Sequence, residues 1–195
     1  MKKTILTIVL TALVCFCVVG TTFAWLMDVT DPIVNTFTVG DVDITLTETD
    51  PTPEDSTDTN SYKMIPGSVI SKDPKVTVVG GSERCWLFVK VSEDNNLSTF
   101  LEYTVDSGWT KLEGAANILS GETVYYRDVA ASESDQAFYV LTSNQVAVKD
   151  GVTKEMLNGA KTTPPKLTFT AYAVQYDAND IASAAAAWAI ANPTT

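Results

Sequence analysis

The residues that could do chemistry are few, and the first fact about them is an absence. The chain has 195 residues and no histidine. Without imidazole there is no Ser-His or Cys-His nucleophile and no zinc site built on histidine. No glycine-rich phosphate loop precedes a helical stretch. Of the cysteines Cys15, Cys17 and Cys85, the last opens an apolar run. There a cysteine reads as a small buried hydrophobe and not as a reactive thiolate. Asp41 and Asp43 stand two apart in an alternating stretch, so they project to one face of a strand. With Asp28 or Asp31 beside them they are the candidates for a Ca²⁺ site, hard oxygen ligands for a hard cation. The plainer reading of the pair is solvated acids beside a bend, since no EF-hand spacing is present. Carboxylates paired for glycoside hydrolysis depend on a separation that only geometry supplies. Asn96-Leu97-Ser98 has the form of a glycosylation sequon, a match short enough to arise by chance. The residues therefore read as a protein without catalytic groups, metal or cofactor.

The leading segment says where the chain goes. Lys2 and Lys3 supply a positive start, and Ile5 to Val19 is an uncharged apolar core. Thr22 and Ala24 are small residues at −3 and −1 of a cut between Ala24 and Trp25, the pattern of a cleavable signal peptide over residues 1–24. The competing reading is an uncleaved anchor. Thr4 to Met27 carries no charge and is long enough to cross a bilayer. Cleavage would remove Cys15 and Cys17, leaving Cys85 without an internal disulfide partner, so the core alone must hold the fold. It would also remove two positive charges and move the net charge from −11 to −13. An acidic surface of that size repels phosphate backbones, which argues against a nucleic-acid partner. Membrane contact is expected only through the signal segment.

Behind the cut, Trp25-Leu26-Met27-Asp28-Val29 is apolar and extended in preference, and Pro32 stops it. Residues 25–35 read as a free N-terminal strand in search of a partner. Val42, Ile44 and Leu46 alternate with Asp43, Thr45 and Thr47. Phe37 and Val39 are out of phase with them by one residue, which requires a bulge or corner at Gly40-Asp41. Thr49 to Ser61 is an acidic, proline-bearing loop. Pro66-Gly67 is a turn, Val76 and Val78 belong to a strand, and Gly80-Gly81-Ser82 turns the chain again. Cys85-Trp86-Leu87-Phe88-Val89-Lys90-Val91 is apolar on both alternations, the mark of a strand buried on both faces. Leu97, Phe100 and Leu101 suit one or two helical turns. Asp106-Ser107-Gly108, between Tyr103-Thr104-Val105 and Trp109-Thr110-Lys111, reads as a hairpin loop. Further strands follow at Val124–Val129, Ala137–Leu141 and Val146–Val148. Thr153 can cap a brief helix through Leu157 that ends at Gly159. Leu167 to Ala173 is a long alternating strand. Residues 179–191 form an alanine-rich helix, capped by Asp177 or Asn179, with Ile181, Ala185 and Trp188 on one face. The expected fold of residues 36–195 is all-β, a two-sheet sandwich of jelly-roll type with a short C-terminal helix.

Gly20-Thr21-Thr22-Phe23-Ala24-Trp25, Asn35 to Ile44, Ile65-Pro66-Gly67, Lys72-Asp73-Pro74 and Trp86 to Val91 together resemble the TasA/camelysin family. These are biofilm-matrix proteins exported with a SipW-type signal peptide. The resemblance implies a jelly-roll domain and fibres built by strand exchange, with Trp25, Leu26, Met27 and Val29 in the donor segment. It implies a secreted protein of a Gram-positive-type bacterium, at the cell surface or in the matrix. Its partners would be a SipW-type signal peptidase, further copies of itself and other matrix proteins. Camelysins are described as metallopeptidases, but this chain lacks His-Glu-x-x-His, so that label brings no zinc chemistry here. The alternative to a fibre subunit is a monomeric surface-binding or adhesion module.

Overall fold

A computed structural model divides the chain into two compact units, Met1–Thr38 and Val39–Thr195. It describes residues 41–49, 62–94, 96–176, 181 and 183–193. The signal segment, the cut site, the N-terminal strand and the bulge expected at Gly40 lie outside the described residues. Within the second unit the strands in chain order are β1 (Ile44–Thr47), β2 (Val69–Ser71), β3 (Lys75–Val78), β4 (Cys85–Asp94), β5 (Leu101–Glu102), β6 (Thr110–Lys111), β7 (Glu122–Val129), β8 (Gln136–Tyr139), β9 (Gln145–Val148) and β10 (Lys166–Gln175). Among the described residues three short α-helices accompany them, α1 (Leu97–Phe100), α2 (Lys154–Ala160) and α3 (Ala184–Ala191), with a 3-10 turn at Thr142–Asn144. The all-β expectation holds.

Backbone pairing sorts the strands into three antiparallel sheets where two were expected: β10-β4-β7-β6, β1-β3-β8 and β2-β9-β5. The first is built around β4, whose two alternating rows are both apolar. Cys85, Leu87, Val89 and Val91 form one row, and all are buried. With Val129 of β7 and Ala171 and Ala173 of β10, the first three pack against Val76 and Val78 of β3 and Phe138 of β8. Two sheets thus share one core, as β-sheets with one apolar face each must. Phe88 on the other row packs with Val124, Val174, Ile181, Ala184, Ala187 and Trp188. The C-terminal helix is the lid of this second core. The double burial read from β4 is the observed one.

Trp188 is fully buried, its indole N–H donating to the Ala116 carbonyl at 2.8 Å. Its ring lies 5.5 Å from Phe88 and 5.2 Å edge-on to Tyr172. The helix is shorter than expected. Ser183 caps it, its Oγ accepting from Ala186 N–H at 3.3 Å. Ala184, Ala187 and Trp188 face inward, while Ala185 is exposed. Ile181 is buried but precedes the helix, so the inward row starts at Ala184 and Ala185 falls outside it. Asp177 and Asn179 lie outside the described residues.

The third sheet forms a separate small core of Phe100, Val148, Val152 and Ala160 beneath α2. Thr153 caps α2 as expected, accepting from Met156 N–H at 3.3 Å. Gly159 does not end it, because the last turn continues to Ala160, whose methyl fills the small core. Two other expectations change. Leu46 is 37 % exposed, although Val42 and Ile44 pack on the core. It sits on β1, the outermost strand of its sheet among the described residues. The Asp106–Gly108 segment is a turn, with Trp109 N–H reaching Asp106 O at 3.0 Å, but not a hairpin. Val105 bridges to Leu141, whereas Thr110 and Lys111 pair with Tyr126 and Tyr125 of β7. The turn carries the chain from one pairing partner to another.

Candidate functional site

β10 is the longest strand at a sheet margin, and its composition sets it apart. It pairs with β4 along its whole length, from Lys166 opposite Asp94 to Gln175 opposite Cys85. Among the described residues no strand pairs with its other edge. In an antiparallel strand alternate residues direct their N–H and C=O groups to that side, so an edge without a paired strand presents a row of donors and acceptors. Leu167 to Val174 carries no charge and no proline, the usual devices that blunt an edge. Phe169, Ala171 and Ala173 reach the core between the two large sheets, and Tyr172 and Val174 reach the core beneath α3. Phe169, Ala171, Tyr172 and Ala173 are only half-buried, while Val91, Val89, Phe88 and Leu87, level with them on β4, are fully covered. A further strand beside β10 would cover both rows at once.

Each end of this edge is closed by a cation held among aromatic rings. At the Phe169 end Lys72 Nζ lies 2.8 Å from Glu48 Oε1, and the Tyr62 hydroxyl donates to the same oxygen at 2.6 Å. The ammonium sits 5.1 Å from the Tyr62 ring and 5.5 Å from the Phe169 ring. At the other end Tyr176 N–H donates to Arg84 O at 2.8 Å. Trp86 stacks on Tyr176 at 5.1 Å, and the Arg84 guanidinium lies 3.5 Å above the Tyr176 ring. Arg84 also forks onto Asp128, with Nε to Oδ1 at 3.0 Å and Nη2 to Oδ2 at 2.5 Å. That hydrogen bond holds the Asp128 carboxyl below its ordinary value. Glu83 N–H donates to Asp41 O at 3.0 Å. Asp41, the first described residue, therefore lies at the Gln175 end of β10.

Ala24, Trp25, Leu26, Met27 and Val29 lie outside the described residues. Asp41 and Asp43 serve the backbone. Asp41 Oδ1 accepts from Val42 N–H at 2.8 Å, Asp43 O accepts from Val79 N–H at 2.9 Å, and Asp43 N–H donates to Ser82 Oγ at 3.2 Å. They seat the start of β1 on the Gly80–Ser82 turn. Among the described residues no group of three or more His, Cys, Asp or Glu side chains could hold a metal ion. Cys85 is fully buried, and burial first, then the Asp128 charge, pushes its thiol up to about 11.

Two shallow clefts went unread in the sequence. One of about 330 Å³ includes Glu93, Tyr103, Tyr125 and Lys149. The Tyr103 hydroxyl there donates to Glu93 Oε1 at 2.6 Å, and burial, then that bond, drives its proton affinity far above a free phenol's. The other, about 210 Å³, includes Ser82 and Ser132. Their hydroxyls donate to the Asp43 and Ser134 carbonyls and so meet no general base. Among the described residues no helix is long and apolar enough to cross a membrane. The chain matches no family model, no curated protein and no solved structure.

Proposed function

We propose that the chain is a secreted structural protein whose copies join into fibres of a bacterial extracellular matrix. The apolar segment Trp25–Val29 of one copy adds as a strand along β10 of the next. The observation that carries this reading is the ten-residue β10 edge, uncharged from Leu167 to Val174 and unpaired among the described residues. Strand addition obtains its affinity from main-chain hydrogen bonds and its specificity from alternate side chains. In an extended segment Trp25, Met27 and Val29 fall on one side, and Leu26 and Asp28 on the other. The apolar side suits the Leu167, Phe169, Ala171, Ala173 row of β10, and the mixed side suits the row of Thr168, Thr170, Tyr172 and Val174. Exchange of an identical element between copies is a low-cost route to assembly. Each contact joins unlike surfaces, so assembly is head-to-tail, and a rotation that does not close on itself continues it as a filament.

The resemblance to the TasA/camelysin family supports the matrix setting, the jelly-roll description of the two facing sheets, and a SipW-type signal peptidase as processing partner. Negative-stain electron microscopy of the chain beginning at Trp25, and of one lacking Trp25–Asp31, tests the reading. Uniform filaments are expected from the first and dispersed folded particles from the second. Filaments that survive the deletion, or none from either chain, would overturn it.

A further inference from the structure

The chain has two arginines, Arg84 and Arg127. They are treated differently by the fold. Arg84 is neutralised by Asp128. Arg127, one residue earlier on β7, points to the opposite face, toward the gap between β6 and β8. Its guanidinium carbon lies 3.8 Å from the Phe138 ring centre and 5.4 Å from that of Trp109. The Trp109 indole N–H is itself tied to Tyr139 O at 2.9 Å, so this aromatic wall is fixed. Arg127 Nε is sealed from solvent and has no hydrogen-bond partner. No carboxylate among the described residues comes within ion-pair distance of the guanidinium. Asp106 is the acid that acts on it, at longer range, and its Oδ1 already accepts from Gly108 N–H at 2.9 Å.

This arrangement is unusual for its composition. Acidic residues outnumber basic ones 24 to 13, yet an arginine that gains most from a carboxylate has none. Burial has removed part of its water, and one N–H is left unsatisfied, a state that costs free energy in any fold. Arg127 as a whole is part-exposed, and Nε is its one nitrogen both sealed and without a partner. Gly108 borders the terminal nitrogens: a Cβ at that position would stand 3.4 Å from Nη1 and 3.7 Å from Nη2, so glycine keeps the approach low. A planar fork with both terminal nitrogens presented and one face stacked matches a carboxylate through two parallel hydrogen bonds.

We infer that Arg127 is a carboxylate-recognition residue, docking a carboxylate from outside the domain between the Asp106–Gly108 turn and the Phe138 ring. The inference does not depend on fibre formation. A free small carboxylate and a carboxylate side chain of another polypeptide share the required chemistry, and the probes separate them.

With two arginines, a ¹⁵N-labelled full-length chain gives two side-chain Nε–Hε signals, assigned with R127K and R84K. Sodium acetate and a blocked Ala-Glu-Ala peptide are titrated at constant ionic strength against sodium chloride. The Arg127 signal is expected to shift saturably with carboxylate while the Arg84 signal stays in place. Peptide binding about tenfold tighter than acetate assigns the site to a protein-borne carboxylate, and equal affinity assigns it to a free one. R127K retains the charge without the fork, so its backbone signals around Gly108 are expected to respond at least about tenfold more weakly. No shift, a shift equal to that in chloride, or equal movement of both arginine signals would overturn the inference, and the native chain alone suffices to read it.

Discussion

Arg84 and Asp128 show how a surface ion pair becomes fixed: the guanidinium is forked onto one group and stacked on Tyr176. Asp128 is held low by the Arg84 hydrogen bond. Glu122 is held low first by the Leu119 backbone N–H, and further by Lys90. A carboxyl whose value is lower folded than unfolded stabilises the fold above its unfolded value, and this contribution is lost as pH falls through the folded one. The urea midpoint is therefore expected to stay level from about pH 8 to pH 5 and to fall below about pH 4, where ordinary carboxyls protonate. Asp128→Asn should cost less than about 1 kcal/mol, because both partners are two-fifths or more exposed. Cys85 gives a second check. A thiol raised from 9.0 to about 11 has a thiolate fraction about 100-fold lower at pH 8. Iodoacetamide labelling of the folded chain should be slower than that of the urea-unfolded chain by at least that factor; equal rates would place Cys85 at the surface.

At the level of elements, those with strong local pattern were legible. β4 was readable because both of its alternations are apolar, and β10 because Leu167 to Ala173 alternates without interruption. Thr153 announced α2 through its capping hydroxyl. The Asp106–Gly108 turn misled because turn chemistry is local, whereas the partners of its flanks, Leu141 and Tyr126, are distant in sequence. Sheet order was unreadable for the same reason. The start of α3 differs from the expectation because Asp177, Asn179 and Ser183 are all cap-type residues, and it is Ser183 whose Oγ accepts from Ala186 N–H. Trp188 anchors one of the two main cores, so Trp188→Ala should destabilise the domain by about 3–5 kcal/mol. Chemical denaturation measures it, and a loss under about 1 kcal/mol would mean that the helix is not the lid of that core.

For the whole molecule, charge and edge oppose each other. The acidic balance, −11 for the whole chain, works against contact between copies, and in the proposed assembly the uncharged β10 edge works for it. Partial protonation near pH 5 reduces the repulsion while the folded domain still retains its low-lying carboxylates. Assembly followed by light scattering is expected to be faster at pH 5 than at pH 8, and raised salt should narrow the difference by screening. The donor half of the proposed contact was legible in the sequence, since Trp25, Leu26, Met27 and Val29 are apolar and follow the cut-site pattern. The acceptor half was not, because alternation reports a strand and not whether its edge is occupied. Arg127 was also invisible, since nothing in Tyr125-Tyr126-Arg127-Asp128 says which basic or acidic group will be paired. The measurement that bears most directly on the account is cross-linking between copies. Chains beginning at Trp25, with Cys85→Ala throughout, carry Met27→Cys in one copy and a single cysteine at Thr168, Thr170, Ala171 or Ala173 in the other. Facing residues on adjacent strands stand about 4.5–5.5 Å apart at Cβ, so disulfide-linked heterodimers are predicted at positions on one face of β10 and not the other. Absence of cross-links at all four positions, with filaments present, would contradict pairing at this edge.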